Sequence, residues 1–204
     1  TVASIKTIIN QNLSHDDGYT YEMYVSGDYY FEDFLKQGGA TNDAALIQFV
    51  TDHITKGLIP MTIKSKEIAC SSFTAWTEDN KFVFGRNYDF DQTNTAIVHT
   101  SPKGRHASIS TIDLQFLGIK EESGISSIKE KALLLAAPYI PLDGINDAGV
   151  ACGIYMTYQG EPTTPTNQNT DKPDITSTTL LRLILDYADS VDEAIELASK
   201  YDMH

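Results

Sequence analysis

A cysteine, an arginine and an aspartate occur in this sequence at a spacing that suits nucleophilic catalysis. Arg86 and Asp89 follow Cys70 by 16 and 19 residues (86 − 70 and 89 − 70). Between them lie two runs of strand-forming residues, Ser72–Trp76 and Lys81–Gly85, joined by a turn of sequence TEDN. A hairpin over these runs returns both charged residues to the cysteine. Because an adjacent arginine favours a thiolate and a carboxylate can bind an amine, the spacing predicts a thiol nucleophile.

The proton acceptor for this thiol is not evident among the histidines. The chain has 5 histidines, and none lies in a motif that ties it to Cys70. A cysteine without a histidine can use its own α-amine as the base if it is the first residue of its chain. This chemistry favours self-cleavage of the Ala69–Cys70 bond. A papain-like peptidase with His99 or His106 as the base remains an alternative.

The other candidate ligands and nucleophiles favour structural roles. Cys152 lies inside the strand-like run Val150–Tyr155 and is predicted to be a core residue, so both cysteines are expected to be free thiols. Asp89, Asp91 and His99 match no known metal-ligand spacing. The sequence therefore predicts no metal site and no cofactor.

Composition limits the classes of function. The chain has 204 residues, of which 41% are hydrophobic, which is enough for one domain with a substantial core. A net charge of −13 repels phosphate backbones, so we expect no nucleic-acid partner. No apolar run approaches the roughly 20 residues that span a bilayer. The segment Thr1–Leu13 lacks the basic-then-apolar order of a signal peptide, and the sequence leaves the compartment open.

Hydrophobic periodicity predicts a mixture of strands and helices. Strands are expected at Tyr19–Tyr30 (a single strand or a hairpin turning at 26–28), Ile68–Trp76, Lys81–Asn87, Ala96–Thr100, Ala107–Asp113, Ala132–Ala137 and Val150–Tyr158. Helices are expected at Phe31–Lys36, from Thr41 to about Gly57, at Thr176–Ala188, and at Ser190–Lys200, which opens with a capping box from Ser190 to Glu193. The remaining segments, Gly118–Lys131 and Gly160–Asp174, are expected to be a loop or ill-defined helix and a long loop. This order indicates an α+β fold with antiparallel strands and helices grouped before and after them.

Three blocks of sequence resemble the choloylglycine hydrolase and penicillin V acylase family. The first is Cys70, the hairpin, and Gly85-Arg86-Asn87-Tyr88-Asp89, which matches the family pattern of a cysteine followed by Gly-Arg-Asn-x-Asp. The second is Leu142–Val150, which resembles the family's DG-x-N-E-x-G-L turn and precedes a strand carrying Gly153-Ile154-Tyr155. The third and weakest is the closing helix pair. The resemblance runs from Cys70 to His204.

This resemblance implies an N-terminal-nucleophile hydrolase that cleaves linear amides. The fold it implies is an αββα sandwich of antiparallel sheets. Cys70 corresponds to the nucleophile, and its α-amine to the base. Arg86 corresponds to the arginine beside the thiol, and Asp89 to the aspartate that orients the amine. Tyr155 falls at an oxyanion-hole and substrate-wall position that holds an asparagine in bile-salt hydrolases and a tyrosine in penicillin V acylases. Asn87, within the first block, is expected to help bind the substrate.

The resemblance also implies a division of the chain. Residues 1–69 form a leading segment, a propeptide or α-subunit, as in acid ceramidase, the N-acylethanolamine amidase and the isopenicillin N acyltransferase. Residues 70–204 correspond to the N-terminal part of the family's core. The family's later oxyanion asparagine and a further active-site arginine lie downstream of the matched helices, so we expect an incomplete sandwich from a longer protein.

The expected partner is a small N-acyl amide with an apolar acyl group, such as a conjugated bile acid, a phenoxyacetyl-type penicillin, an N-acylethanolamine or another fatty amide. A homo-oligomer is compatible with the sequence. The alternative to catalysis is a non-catalytic or unprocessed domain that kept the fold.

Overall fold

The computed structural model describes residues 2–8, 20–57, 69–89, 93–119, 125, 127–155 and 170–203, the first of these ranges as backbone only. The strands in these ranges are β1 (Val2–Ile8), β2 (Thr20–Ser26), β3 (Ala69–Trp76), β4 (Phe82–Asp89), β5 (Thr95–Ser101), β6 (Ser108–Asp113), β7 (Asp143–Asn146), β8 (Ala151–Gly153), β9 (Asp174–Ile175) and β10 (Asp202–Met203). The α-helices are α1 (Phe31–Lys36), α2 (Asp43–Val50), α3 (Ile128–Leu133), α4 (Ser177–Tyr187) and α5 (Val191–Ala198). This is the α+β fold that the sequence predicts.

A six-stranded sheet forms the centre of the molecule, with the strand order β1-β2-β5-β6-β7-β8. Four of its pairings are antiparallel, as expected. The pairing of β2 with β5 is parallel, which the sequence did not reveal. Two smaller sheets accompany it, an antiparallel hairpin of β3 and β4 and a short parallel pair of β9 and β10.

The two faces of the central sheet differ in burial, because successive side chains of a strand point to opposite sides. One face packs on the helices and contributes Met23, Val98 and Ile112 to the core. The other carries a row of partly exposed side chains that register pairing places side by side across four strands. These are Tyr24, His99, Ile109 and Ile145.

The residues before Cys70 contribute to the same hydrophobic core as those after it. Phe34 lies with its ring centroid 5.2 Å from that of Phe49 and 5.8 Å from that of Tyr139. All three rings are almost fully buried. Burying one such side chain stabilises a fold by roughly 1.5–3 kcal/mol. The segment 20–57 is therefore an integral part of the packed structure.

A buried polar cluster joins the same segment to α4. The Tyr29 hydroxyl donates to the Asp186 carboxylate at 2.6 Å from either oxygen. Arg182 and Arg105 donate to Asp186 Oδ1 and Oδ2, each at 3.1 Å. Arg182 also donates to hydroxyls of β5 and β6 and to the Pro138 carbonyl. Because Arg182 and Asp186 are 0% exposed, their charges depend on these partners for solvation.

A close backbone contact fixes the connection between α1 and α2. Gly39 has φ +75°, and a Cβ atom there would lie 1.9 Å from the Asp174 carbonyl oxygen. The Ala40 N–H donates to that oxygen at 3.0 Å. Glycine is required at residue 39 both by the backbone angle and by the lack of space.

Some sequence-based predictions are wrong in their details. The strand expected at Ala132–Ala137 is helical: α3 is followed by a 3₁₀ segment, Leu134–Tyr139. Ser127 and Glu130 form a capping box that starts this helix. Of the two possibilities expected for Tyr19–Tyr30, the single strand is confirmed, at Thr20–Ser26.

Other predictions are confirmed or refined. The helices expected from Thr41, from Thr176 and from Ser190 are present, the first continuing into a π-helical turn, Thr51–Thr55. Ser190 caps α5 by accepting from the Glu193 N–H, but the Glu193 carboxylate accepts from Asp189 rather than from Ser190. The loop-or-helix segment Gly118–Lys131 includes most of α3. Much of the predicted loop Gly160–Asp174 lies outside the described residues.

Candidate active site

The hairpin β3–β4 brings the predicted chemical residues together. Its register pairs Cys70 with Tyr88, Ser72 with Arg86 and Ala69 with Asp89. The turn is closed by Thr77, whose Oγ1 accepts from the Lys81 N–H at 2.9 Å. Since side chains alternate along a strand, Cys70 and Arg86 project from the same face of the hairpin.

Arg86 lies directly beside the thiol. Its Nη2 is 3.2 Å from Cys70 Sγ, and the arginine side chain is only 5% exposed. A guanidinium at this distance, shielded from water, stabilises a thiolate more than it stabilises a neutral thiol. The hairpin therefore brings Arg86, 16 residues after Cys70, back beside the thiol.

Backbone carbonyls hold this guanidinium in place. Arg86 Nη1 donates to the Leu142 carbonyl at 2.5 Å, and Nη2 donates to the Ile154 carbonyl at 2.5 Å. Gly153 leaves room for the group, because a Cβ there would lie 2.5 Å from Arg86 Nη1. The segments at the start of β7 and after β8 thus orient the charge that faces Cys70.

A carboxylate completes the surroundings of Arg86. Asp143 Oδ2 lies 3.5 Å from Arg86 Nε, and its Oδ1 accepts from Thr111 Oγ1 at 2.5 Å. Thr111 and Asp143 are register partners on β6 and β7. Asp143 belongs to the Leu142–Val150 block, which resembles the family's turn motif, but the sequence did not predict it to be a site residue. Its position in that block was the signal that could have identified it.

Asp89 occupies the position across the hairpin from the predicted cleavage bond. Its backbone pairs with Ala69, whose carbonyl belongs to the Ala69–Cys70 peptide. Asn87 Nδ2 donates a short hydrogen bond to the Asp89 carboxylate. Asp89 and Asn87 are therefore hydrogen-bonded to each other on the face of the hairpin opposite the Cys70 side chain.

Tyr155 is brought to the site through Arg86. The guanidinium carbon lies 4.9 Å from the Tyr155 ring centroid and 5.4 Å from that of Tyr88. Such contacts favour the charged guanidinium by cation–π attraction. Burial raises the pKa of Tyr88, with the charges of Asp113 and Cys70 adding to the effect, so this hydroxyl stays protonated. Tyr155 itself is 39% exposed and open to a ligand.

The second cysteine, Cys152, is half-buried on β8 rather than part of the hydrophobic core. Both cysteines are free thiols. Burial is the main cause that raises the pKa of Cys152 to about 12, so its thiol is protonated and unreactive at neutral pH.

The histidines that a papain-like site would need are engaged elsewhere. His99 Nε2 lies 2.9 Å from Glu22 Oε1, and its ring stacks on Tyr24 at 4.4 Å. His106 contacts Asp147 through Nδ1 and Asp189 through Nε2, at 2.6 and 3.1 Å. Neither pairing includes Cys70.

Neither a group of metal ligands nor a membrane-spanning helix is found among the residues that the structure describes. Within those ranges no three His, Cys, Asp or Glu side chains are grouped so as to hold a metal ion. In the same ranges no helix is both long enough and apolar enough to cross a bilayer.

An open cavity of about 480 Å³ lies between β4 and the exposed face of the central sheet. Its walls are mainly apolar, and Arg86 and Asp143 form a polar end. The apolar lining comes from Phe82, Val83, Phe84, Ile109 and Ile145. Its size and lining are typical of a site for a small apolar group.

Comparison with known proteins agrees with this geometry. The model of the choloylglycine hydrolase family, described as linear amide C–N hydrolases, matches residues 70–203. No curated protein and no solved structure matches the chain. The matched region starts at Cys70. It includes the hairpin, the Leu142 and Ile154 carbonyls that bind Arg86, and the closing helices α4 and α5.

Proposed function

The chain belongs to the choloylglycine hydrolase family of linear amide C–N hydrolases, and we propose that Cys70 is the nucleophile with which it cleaves an N-acyl amide. The observation that carries this proposal is the 3.2 Å contact between Cys70 Sγ and the buried Arg86 guanidinium. A thiol held against a fixed cation is an activated nucleophile, whereas desolvation raises the pKa of the Cys152 thiol and keeps it protonated.

The reaction proceeds through a thioester. The Cys70 thiolate adds to the amide carbonyl carbon and forms a tetrahedral oxyanion, which collapses to the thioester as the C–N bond breaks. The α-amine of Cys70 takes the thiol proton and passes it to the leaving amine nitrogen. Water then adds to the thioester, which releases the carboxylic acid and restores the thiol.

This base exists only after cleavage before Cys70. While Ala69 is attached, the Cys70 nitrogen is an amide and does not accept a proton at neutral pH. Attack of Cys70 Sγ on the Ala69 carbonyl forms a thioester as the C–N bond breaks, and the thiol proton ends on the freed α-amine. Hydrolysis of the thioester then releases the leading chain as a carboxylic acid and restores the thiol. Asp89 is proposed to bind the new ammonium group, and its register pairing with Ala69 across the hairpin supports this role.

Tyr155 and Asn87 are proposed to contact the substrate. Tyr155, with a neighbouring backbone N–H, stabilises part of the oxyanion. Its exposed ring beside Arg86 supports a place in the substrate wall. Asn87, hydrogen-bonded to Asp89, is proposed to contact the amine side of the substrate.

The apolar cavity beside Arg86 supports a substrate with an apolar acyl group. Phenoxyacetyl-type penicillins, N-acylethanolamines and other fatty amides fit this description, as do conjugated bile acids. Penicillin V acylases have a tyrosine, like Tyr155, at the corresponding position. The substrates other than conjugated bile acids are therefore favoured.

Residues 1–69 are proposed to remain bound after cleavage as a separate chain. β2 lies between β1 and β5 in the central sheet, and Tyr29 is bonded to Asp186 of α4. The two chains should co-elute in native gel filtration and separate in urea. Loss of the leading chain under native conditions would show it to be a removable propeptide.

The test combines intact mass with activity on a panel of N-acyl amides. The full-length protein should yield a chain beginning at Cys70 and hydrolyse an amide of the apolar classes. Cys70→Ala should abolish both results, and the matched control Cys152→Ala should retain both. Activity of the uncleaved protein or of Cys70→Ala would refute the mechanism.

Two other outcomes identify the alternatives. An uncleaved, inactive protein whose Cys70 is alkylated no faster than an ordinary thiol is a non-catalytic domain. Loss of activity in His99→Ala or His106→Ala, with normal folding, would instead favour a papain-like peptidase.

A further inference from the structure

We propose that Asp143 acts on this site through Arg86: its carboxylate, ion-paired to the guanidinium, offsets part of the positive charge and thereby controls the ionisation of Cys70. The inference rests on the proposed function only in that Cys70 is the nucleophile whose ionisation matters. No role for a carboxylate behind the arginine follows from the residues that the sequence singled out.

The first support is the division of labour around the guanidinium. Its two terminal nitrogens donate to the Leu142 and Ile154 carbonyls, and Nη2 also faces Cys70 Sγ. Its Nε is buried and makes no hydrogen bond within the described part of the chain. That nitrogen faces Asp143 Oδ2 at 3.5 Å. The cation therefore lies between an anion on one side and the thiol on the other.

The second support is that Asp143 is itself fixed. Thr111 Oγ1 donates to Asp143 Oδ1 at 2.5 Å, and the two residues are register partners on neighbouring strands. The Asp143 side chain is 16% exposed, so water screens its charge only in part. A carboxylate tied to β6 in this way presents its other oxygen to Arg86 at a constant position.

The third support is the identity of the other titratable groups near the thiol. The other titratable groups near Cys70 and Arg86 are Tyr88, Tyr155, Cys152, Asp89 and, beyond Tyr88, Asp113. Burial raises the pKa of both Tyr88 and Cys152, so these two are neutral at working pH. Asp89 lies on the opposite face of the hairpin. Asp143 is thus the carboxylate that ion-pairs with Arg86 among the described residues.

The electrostatic consequence has a definite sign. A thiolate at Cys70 and the carboxylate of Asp143 share one guanidinium. When the carboxylate is replaced by a neutral group, the two backbone carbonyls still hold Arg86 beside the thiol. The full positive charge then acts on Cys70, and the thiolate forms at a lower pH.

The experiment compares the pH dependence of Cys70 alkylation in Asp143→Asn and in the unmodified protein. Iodoacetamide modification of the Cys70 peptide is followed by mass spectrometry, with Cys152 as the internal reference and both proteins in the same cleavage state. The midpoint for Asp143→Asn should fall by about 1 pH unit. Asp143→Glu, which restores the charge, should return the midpoint close to its original value.

Two further variants make the test discriminating. Asp143→Ala removes the same charge with a smaller side chain and should shift the midpoint in the same direction, should Asp143→Asn fold poorly. Asp147→Asn removes an exposed carboxylate near the other end of β7, bonded to His106, and should leave the midpoint unchanged. An unchanged or raised midpoint in folded Asp143→Asn overturns the proposal.

Activity separates this inference from the proposed function. If Cys70 is the nucleophile, the acidic limb of kcat/KM should move with the alkylation midpoint in Asp143→Asn. A shifted midpoint with an unmoved activity profile would support the role of Asp143 and refute that of Cys70. An unshifted midpoint in a protein that Cys70→Ala inactivates would refute the role of Asp143 alone.

Discussion

The contact between Tyr29 and Asp186 offers a direct measure of how firmly the leading segment is attached to the closing helix. Tyr29→Phe removes one hydroxyl and keeps the ring, which packs edge-on against Tyr139 at a centroid distance of 6.4 Å. The hydroxyl is 2.6 Å from both oxygens of a carboxylate that is 0% exposed. The substitution therefore deletes one charge-assisted hydrogen bond without opening a large cavity.

The expected cost follows from the partners that remain. A hydrogen bond to a buried charge contributes about 1.5–3 kcal/mol. In Tyr29→Phe the Asp186 carboxylate keeps its bonds to Arg182 and Arg105, one on each oxygen, so it is not left unpaired. The loss should therefore lie in the lower half of that range, at about 2 kcal/mol.

Urea denaturation measures this loss, and the chain contains a matched control. The Tyr24 hydroxyl donates to Glu22 Oε1 at the same 2.6 Å, but Tyr24 is 44% exposed. Tyr24→Phe should cost far less than Tyr29→Phe, because water replaces the lost bond. The denaturation slope should be unchanged in both variants. Equal losses for Tyr29→Phe and Tyr24→Phe would refute the argument that burial gives the Asp186 bond its strength.

Two glycine substitutions, with Gly57→Ala as a control for the first, test the close contacts described above. Gly39→Ala should destabilise by about 3 kcal/mol, since its Cβ would meet the Asp174 carbonyl, whereas Gly57→Ala, with a similar φ of +73° and open space, should cost only about 1 kcal/mol. Comparable urea midpoints for these two variants would contradict the clash. Gly153→Ala should push the Arg86 guanidinium away from Cys70 and reduce amide hydrolysis at least tenfold, with a much smaller change in stability; retained activity would show that the arginine tolerates displacement.

The hairpin of the candidate site was predictable because its signals are local. Alternating strand residues on both sides of a four-residue turn fix which residues face one another, and the separation of Cys70 and Arg86 then follows from the register. The closing helices were predictable for the same reason, since their caps and apolar faces lie within a few residues of each other.

The anchoring of Arg86 was not predictable, because its partners are distant and have no characteristic residue type. Leu142 and Ile154 contribute backbone carbonyls from 56 and 68 residues away, and any side chain could stand at those positions. The apolar run Ala132–Ala137 was misread for a different reason. A short apolar run has no period of its own, and the cap at Ser127 decided in favour of helix.

The parallel pairing of β2 with β5 also constrains the order in which the protein forms. Tyr21 pairs with Ala96, so the pairing closes a loop of 75 residues (96 − 21) that contains the whole hairpin with Cys70. Closing such a loop costs about 4 kcal/mol of chain entropy while the backbone is continuous. Once the backbone is cut, β2 would have to find its place as a separate molecule at cellular dilution. For the cleavage proposed above, the strand order therefore favours closure of the central sheet before the Ala69–Cys70 bond is opened.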